Sequence, residues 1–398
     1  MANENKILDI ALYGNGPTAK SAVLSLSKLG FYPTWINDGI IDFNKDDRTT
    51  MLSPQSLDFY KDHNLHEIKK TAFPSNKIHI RSMNQKGFTV FEDEAQNNPL
   101  CYLIENNRLY KELNILISKE IKEKKINQII GEIKDISLNQ NYAEIILKSG
   151  KKIKSLLVIG ADGSNSMVRK LTKIKSLEMG IKKYGLVSLV EHNQNYPNVS
   201  WQVFSKNGIL AFLAKENRTN KKSVSSLVWS LNKSQMESQL SLSTADVIKN
   251  IKKEFGSYLG DFSLLSKIKQ WPINRVDVPK PIGLRTVVIG DAAHSIYPLA
   301  GQGFNLAIGD IIQLSKTLNW ARDRGLDFGS KVILDNYYNN RKFWIRSITK
   351  LTDGLDWFFT NTSDQVQRSM SLPFAILENL NPIKRKLVNI IREDTLSR

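Results

Sequence analysis

The residues best suited to chemistry stand together between 286 and 310: Gly290-Asp291, His294, Tyr297-Pro298, Gly301-Gln302-Gly303, Asn305 and Asp310. A β-branched run, Thr286 to Ile289, precedes them and stops at Gly290. So short an apolar run reads as a buried strand of a parallel sheet. Asp291 then falls at the strand's carboxyl end, where open α/β sheets bind their ligands. A carboxylate there can accept hydrogen bonds from polyol hydroxyls. Past the loop of Pro298, Gly301 and Gly303, the residues Phe304, Ile308, Ile311 and Ile312 recur at helical spacing, which predicts a helix from about Gly303. The open N–H groups of a helix start carry about half a positive charge. They suit a ligand that becomes negative during turnover.

Two further constellations lie upstream. Ile7 to Tyr13 predicts a strand, Gly14-Asn15-Gly16-Pro17-Thr18-Ala19 a turn, and Ala22, Leu24, Leu26 and Leu29 a helix ending at Gly30. This is a G-x-G-x-x-A form of the dinucleotide fingerprint. Gly14 permits the tight turn, Gly16 lets a pyrophosphate approach the backbone, and the helix start beginning at Pro17 neutralises it. Ala19 is small enough for close helix–strand packing. A ribose-binding acid is expected about 20 residues on, after the strand from Tyr32 to Ile36. That position holds Asn37, with Asp38 beside it. Either Asn37 bonds a hydroxyl without charge or Asp38 takes the role, and the fingerprint alone does not decide between FAD and NAD. The third constellation follows the apolar run Leu156 to Gly160: Ala161-Asp162-Gly163-Ser164-Asn165-Ser166-Met167-Val168-Arg169. Asp162 again ends a strand, Ser164 or Asn165 can cap a helix, and Arg169 can bond back to the loop.

In this order and spacing the three motifs resemble the FAD-dependent aromatic hydroxylases, the group A flavoprotein monooxygenases, and above all the ubiquinone-biosynthesis hydroxylases. The resemblance implies an FAD cofactor reduced by NADPH or NADH. It implies a C4a-hydroperoxide formed with O₂, whose oxygen passes to an aromatic ring. It assigns the pyrophosphate to Gly14, Gly16 and the following helix, the ribitol to Asp291, and the flavin ring to Pro298 and the segment Gly290, Gly301, Gln302, Gly303 and Asn305. It associates Asp162 with FAD and the nicotinamide donor. Asp47-Arg48 resembles the family's D-x-R segment near the flavin, and Arg108 opens a helix that returns to the cofactor; each arginine has a purely structural reading beside this one. The family often has His just before the loop proline, and this chain has Tyr297. No catalytic residue is identified beyond the flavin-facing pair Tyr297 and Pro298. The implied substrate is a polyprenylated phenol of ubiquinone synthesis. The alternatives are a soluble aromatic acid, or a non-catalytic FAD-binding subunit of a complex with ubiquinone-biosynthesis proteins.

The elements that must position these motifs predict an α/β fold: a Rossmann-like FAD-binding domain (1–75, 98–178 and 276–330), an inserted, mostly antiparallel β-sheet substrate domain (76–97 and 179–275) and a C-terminal helical segment (331–398). Within the insertion the helical patterns stop and strand-like runs dominate. Trp201, Phe204, Phe212 and Trp229 either line a substrate cavity or fill an ordinary core. The chain has 398 residues, 41% hydrophobic, with a single cysteine, Cys101, which excludes an internal disulfide and a cysteine-rich zinc site. No metal site is expected. The net charge of +17 fits either a Lys-rich soluble surface or contact with an anionic membrane; no nucleic-acid motif accompanies it. Neither a signal-peptide core nor a membrane span is present, so the expected location is cytoplasmic, or peripheral on the inner membrane. The basic segment Asn381 to Leu387 could rest on lipid or pack on the FAD domain.

Overall fold

The structure is a computed structural model describing residues 7–39, 46, 48–82, 88–93, 98–193, 196, 198–215, 223–297, 301–362, 388–389 and 392, without the side chains of 178–182. Pro298, the apolar run 371–391 apart from two residues, and the basic segment 381–387 lie outside them.

The first strand, Ile7–Tyr13, lies between Lys152–Gly160 and Thr34–Asn37, all parallel. Asn127–Ile130 extends this sheet on one side and Thr286–Val288 on the other. Alternation sorts its side chains. Ile10, Leu12, Leu157, Ile159, Val287 and Ile289 face the helices Pro17–Lys28, Asn106–Lys122 and Gln302–Arg322. Ala11, Val158 and Val288 face the opposite side, where Ile133, Ile136, Ala143 and Ile145 cover them. Burial on both faces explains why these strands read as continuous apolar runs. Each fully buried Val, Leu or Ile contributes roughly 1.5–3 kcal/mol.

The second sheet has nine strands. Its centre is the long strand Leu177–His192, paired antiparallel with Ser223–Asn232 and Lys269–Asp277. Gly208–Lys215 and Val199–Ser205 follow, then Lys77–Ser82 in the one parallel pairing, and Thr89–Glu92 at the edge. The hairpin expected around 78–90 is thus a pair of strands in this sheet.

One local expectation, an insertion without helices, is corrected, and two details are added. First, Thr49–Leu52 and Cys101–Glu105 are strands of a small third sheet with Phe73–Ser75, and each runs into a helix, Pro54–Asp62 and Asn106–Lys122. At four and five residues they are too short to show a period. Second, the inserted stretch holds helices Lys233–Leu240 and Thr244–Phe255. Asn232 and Gln235 form a capping box on the first, and Ser243 caps the second. Val247, Ile251 and Phe255, one turn apart, bury against the sheet. Third, Trp201, Phe212 and Trp229 belong to that helix-covered core. Their neighbours Gln202, Ala211, Val228 and Ser230, on the opposite face by the two-residue period, line the cavity described next.

Candidate functional site

A cavity of about 770 Å³ lies between the two large sheets. The carboxyl ends of the parallel strands form one wall, through Tyr13, Ala161 and Ile289. The inward face of the second sheet forms the other.

Gly14, Asn15, Gly16, Pro17 and Thr18 all border the cavity. Gly14 has φ +142°, and a Cβ there would stand 2.3 Å from the Ala161 carbonyl oxygen and 3.1 Å from Ala19 Cβ. Gly14 therefore lets the first and third motifs touch, and Ala19 keeps the helix close. Gly16 is different. A Cβ on it would meet nothing within 4 Å, so its space opens into the cavity. It caps the helix Pro17–Lys28 without any side-chain hydrogen bond, which leaves the first-turn N–H groups facing outward.

Between the two candidates for the ribose acid, geometry separates the roles. Asn37 is buried, its Oδ1 accepts from the Gly39 N–H, and it stands outside the cavity wall. Asp38 lines the cavity and is held by Asn15 Nδ2 at 3.2 Å. The exposed residue is the one placed to meet a ligand hydroxyl.

Asp162 borders the cavity, but its carboxylate is engaged. Ser166 Oγ donates to it at 2.5 Å, and the N–H groups of Met167 and Val168 at 2.7 and 3.1 Å. Burial raises its pKa against those hydrogen bonds. Asp162 thereby takes the first two N–H groups of the short helix Met167–Leu171, whose N-cap is Ser166 rather than Ser164 or Asn165. Arg169, fully buried, donates to the carbonyls of Ala292 and Ser164, each at 2.8 Å. It ties the third motif to the Gly290 loop.

That loop is built around Asp310. Gly290, at φ +58°, donates its N–H to Asp310 Oδ2 at 3.1 Å. His294 Nε2 meets the same oxygen at 2.5 Å, and Arg341 Nε donates to Oδ1 at 3.0 Å. Burial alone would raise the Asp310 carboxyl; His294 and Arg341 outweigh it and hold it below the ordinary carboxylate range. The outcome is that Asp291 stands in the cavity wall. Its side chain presents surface to the cavity although protein surrounds it, and that enclosure raises its pKa against the pull of His294 and Arg48.

The helix Gln302–Arg322 starts beside it, with Gly301 at φ +60° as an N-cap that offers no side-chain oxygen. A Cβ at Gly301 would lie 2.7 Å from Met51 Cβ. Gly301, Gly303, Phe304 and Ala307 line the cavity. Gln302 and Asn305 do not. Asn305 Oδ1 accepts from Ser53 N and Ser56 Oγ, both at 2.9 Å, and so anchors the helix Pro54–Asp62.

Arg48 lies at the cavity rim, bound twice to Asp46 at 2.8 and 2.6 Å and stacked 3.8 Å above the Trp271 ring. Arg108 stands outside the wall and pairs with Glu105 at 3.0 Å. Tyr297 lines the cavity among Phe204, Ile209 and Phe359. Burial, then Asp356 and Asp353, raise its pKa against Arg275, so the phenol stays protonated at neutral pH.

Sequence reasoning did not single out Trp271, Gln202, Ser230 or Asn274 as cavity residues. For Gln202 and Ser230 the two-residue period was the available signal: each flanks a tryptophan of the opposite face.

A family model described as an FAD binding domain matches residues 9–352. The 3-demethoxyubiquinol 3-hydroxylase of Escherichia coli (strain K12) is 25% identical over 400 residues, covering 98% of each chain. The mitochondrial ubiquinone biosynthesis monooxygenase COQ6 of Danio rerio is 25% identical, covering 85% of this chain and 80% of that one. Among solved structures, p-nitrophenol 4-monooxygenase PnpA from Pseudomonas putida DLL-E4 superimposes with a TM-score of 0.74 at 15% identity, covering 97% of this chain and 98% of that one. A Klebsiella pneumoniae HpxO variant complexed with FAD does so with a TM-score of 0.72 at 13% identity, covering 96% and 98%. With the family model spanning the parallel sheet, the inserted sheet and most of the last helix, the chain belongs to the family defined by this FAD binding domain.

Proposed function

We propose that the protein is an FAD-dependent monooxygenase that hydroxylates the aromatic ring of a polyprenylated phenol in ubiquinone biosynthesis. One observation carries the reading: an uncapped helix start, an open Gly16 and a cavity-facing Asp291 share a single chamber with an apolar sheet face. The names of relatives aligned over nearly the whole chain support the pathway.

The residues fit FAD. Gly14, Gly16 and the N–H groups after Pro17 would hold the pyrophosphate, Asp38 the adenosine ribose, and Asp291 the ribityl hydroxyls. Gly301 and Gly303 would direct N–H groups at charge developing on the ring. The chemistry that FAD supplies when bound is activation of O₂, with NADPH or NADH as the electron source. The chain's own work is to orient and to exclude water. Val187, Ile209, Ala211, Leu213 and Val228 make the substrate wall apolar, and Tyr297 contributes a neutral O–H.

The domain division at 76–97 and 179–275 belongs to the same proposal, with cofactor groups on the parallel sheet and substrate contacts on the antiparallel one. So does peripheral attachment to the inner membrane. No helix among the described residues is long and apolar enough to cross a bilayer. The outer face of the helix Lys331–Asn361 instead exposes Val332, Phe343 (77%), Leu351 and Trp357 (63%) beside Arg346 and Lys350. Aromatic and basic groups on one helix face suit an anionic lipid surface.

The test is a quinone-lipid profile, by mass spectrometry, of cells lacking the gene. A prenylated intermediate one oxygen short is expected, and its structure names the ring carbon. An unchanged profile with no redundant hydroxylase present retires the ubiquinone reading.

A further inference from the structure

The substrate wall formed by the second sheet is almost wholly apolar or small, from Gly185 and Val187 to Leu213 and Val228. Two side chains break it. Gln202 is 5% exposed and Ser230 is 4% exposed, both border the cavity, and among the described residues neither side chain makes a hydrogen bond. Trp271 Nε1, also on this wall, is buried without a hydrogen-bond partner among the described residues, but Ser295 and Asn274 are engaged. Ser295 Oγ donates to the Asn274 carbonyl at 2.5 Å, and Asn274 Nδ2 to Ser164 Oγ at 3.1 Å. Buried polar groups are nearly always paired, because an unpaired one forfeits its hydration. A ligand that fills the chamber strips water from both, and the loss is recovered only when that ligand offers polar partners of its own.

Register fixes their spacing. Ser230 is opposite Ile209, and Gln202 is opposite Ala211, one pleat further along the strand between them. Two strand steps sideways and one pleat repeat place their Cα atoms roughly 12 Å apart. With both side chains reaching inward, that is the span of one aromatic ring bonded at two edges. Ser230 lies at the Tyr297 end, because Ile209 packs with Tyr297.

We infer that Gln202 and Ser230 are the specificity determinants of this chamber, each hydrogen-bonding an oxygen substituent on a different edge of the substrate ring. The inference deepens the proposed function and rests on it. An amide and a hydroxyl both donate and accept, so hydroxyl and alkoxy substituents are equally readable. The preferred substrate class is a neutral ring carrying oxygen at two separated positions. An aromatic acid is disfavoured: the one cation among the described lining residues is Arg48, already bonded twice to Asp46.

The experiment titrates the FAD-loaded protein with two alkylphenols that share a side chain and differ by one ring methoxy group, reading the flavin absorbance change. Wild type is expected to bind the methoxyphenol about tenfold more tightly or better, since a site built to bond an oxygen rejects the analogue lacking it. In the Gln202→Met, Ser230→Ala double variant that preference falls below threefold, with FAD content unchanged and the thermal midpoint equal or higher. Ser230→Thr, which keeps the hydroxyl, retains the preference. A double variant that weakens both phenols equally, or keeps the preference, overturns this inference while leaving the hydroxylase reading intact. Failure of both phenols to bind wild type overturns the hydroxylase reading and this inference with it.

Discussion

Arg341, on the last long helix, places its Nε 3.0 Å from Asp310 Oδ1, and both side chains are completely shut from solvent. Through the other oxygen of that carboxylate the contact reaches Gly290 and so fixes Asp291. Removing one partner of a buried pair typically costs about 3–5 kcal/mol. Arg341→Leu should therefore lower the thermal midpoint and reduce bound FAD together. Because the folded pKa of Asp310 is depressed, its contribution is present above the unfolded carboxyl value of about 3.9 and is lost as pH falls through the lower folded value. Acid denaturation followed by circular dichroism should show Asp310→Asn losing part of that acid limb. An Arg341→Leu protein with wild-type stability and flavin content would contradict the assignment.

Asp291 has the opposite sign. Its folded pKa is raised, so in the flavin-free protein the carboxyl favours stability at acid pH, and that contribution fades as pH rises through the raised value. In the proposed site, FAD hydroxyls would donate to the ionised form. Proton and cofactor thus compete, and FAD affinity should weaken as pH falls through the raised pKa. Fluorescence titration of the flavin should show Asp291→Asn flattening this dependence, and Asp291→Ala losing about tenfold or more in affinity. A variant with full flavin content would remove Asp291 from the site.

The first two glycines predict divergent outcomes. Gly14→Ala forces a Cβ to 2.3 Å from a carbonyl oxygen at φ +142°, so the fold itself should weaken, as seen in a lower thermal midpoint. Gly16→Asp adds its side chain in open space at a helix N-cap, where Asp is favoured. Its melting temperature should hold, while the carboxylate opposes the pyrophosphate and lowers FAD affinity at least about tenfold. Equal effects of the two substitutions on stability would contradict the division of roles.

The parallel sheet and its three motifs were legible because their strands are buried on both faces and end in glycines and acids at fixed offsets. The two candidate ribose groups, Asn37 and Asp38, were not separable, since a one-residue difference at a strand's end turns a side chain from core to cavity. The inward face of the second sheet escaped for a related reason. Bulky aromatics attract attention, yet Trp201 and Trp229 belong to the helix-covered core, and the polar neighbours they overshadow are the cavity residues. Arg169 and Asn305 show a third limit: a motif residue can serve the loops around a cavity without lining it, and residue type alone does not distinguish the two.

Membrane attachment is open to a direct test. The protein should co-sediment with vesicles containing anionic lipid, less so with purely zwitterionic ones, and release as salt screens the contact. Phe343→Ser with Trp357→Ser should abolish binding and leave FAD content unchanged. Retention of vesicle binding by that pair would move the contact to another surface.

The helix Lys331–Asn361 holds the helix Gln302–Arg322 through Arg341 and Asp310, and the second sheet through Asp353 with Arg275 and Asp356 with Lys183. It is a brace spanning both halves, and its three buried partners come from distant parts of the chain. The chain must therefore be made through Asp356 before all three pairs can form. A chain cut short after Arg322 would leave Arg275 without Asp353 and Lys183 without Asp356, and Asp310 with His294 and the Gly290 N–H but without Arg341. Such a product would be cleared as misfolded protein, so nonsense changes that stop the chain between Asp323 and Arg341 should behave as complete losses.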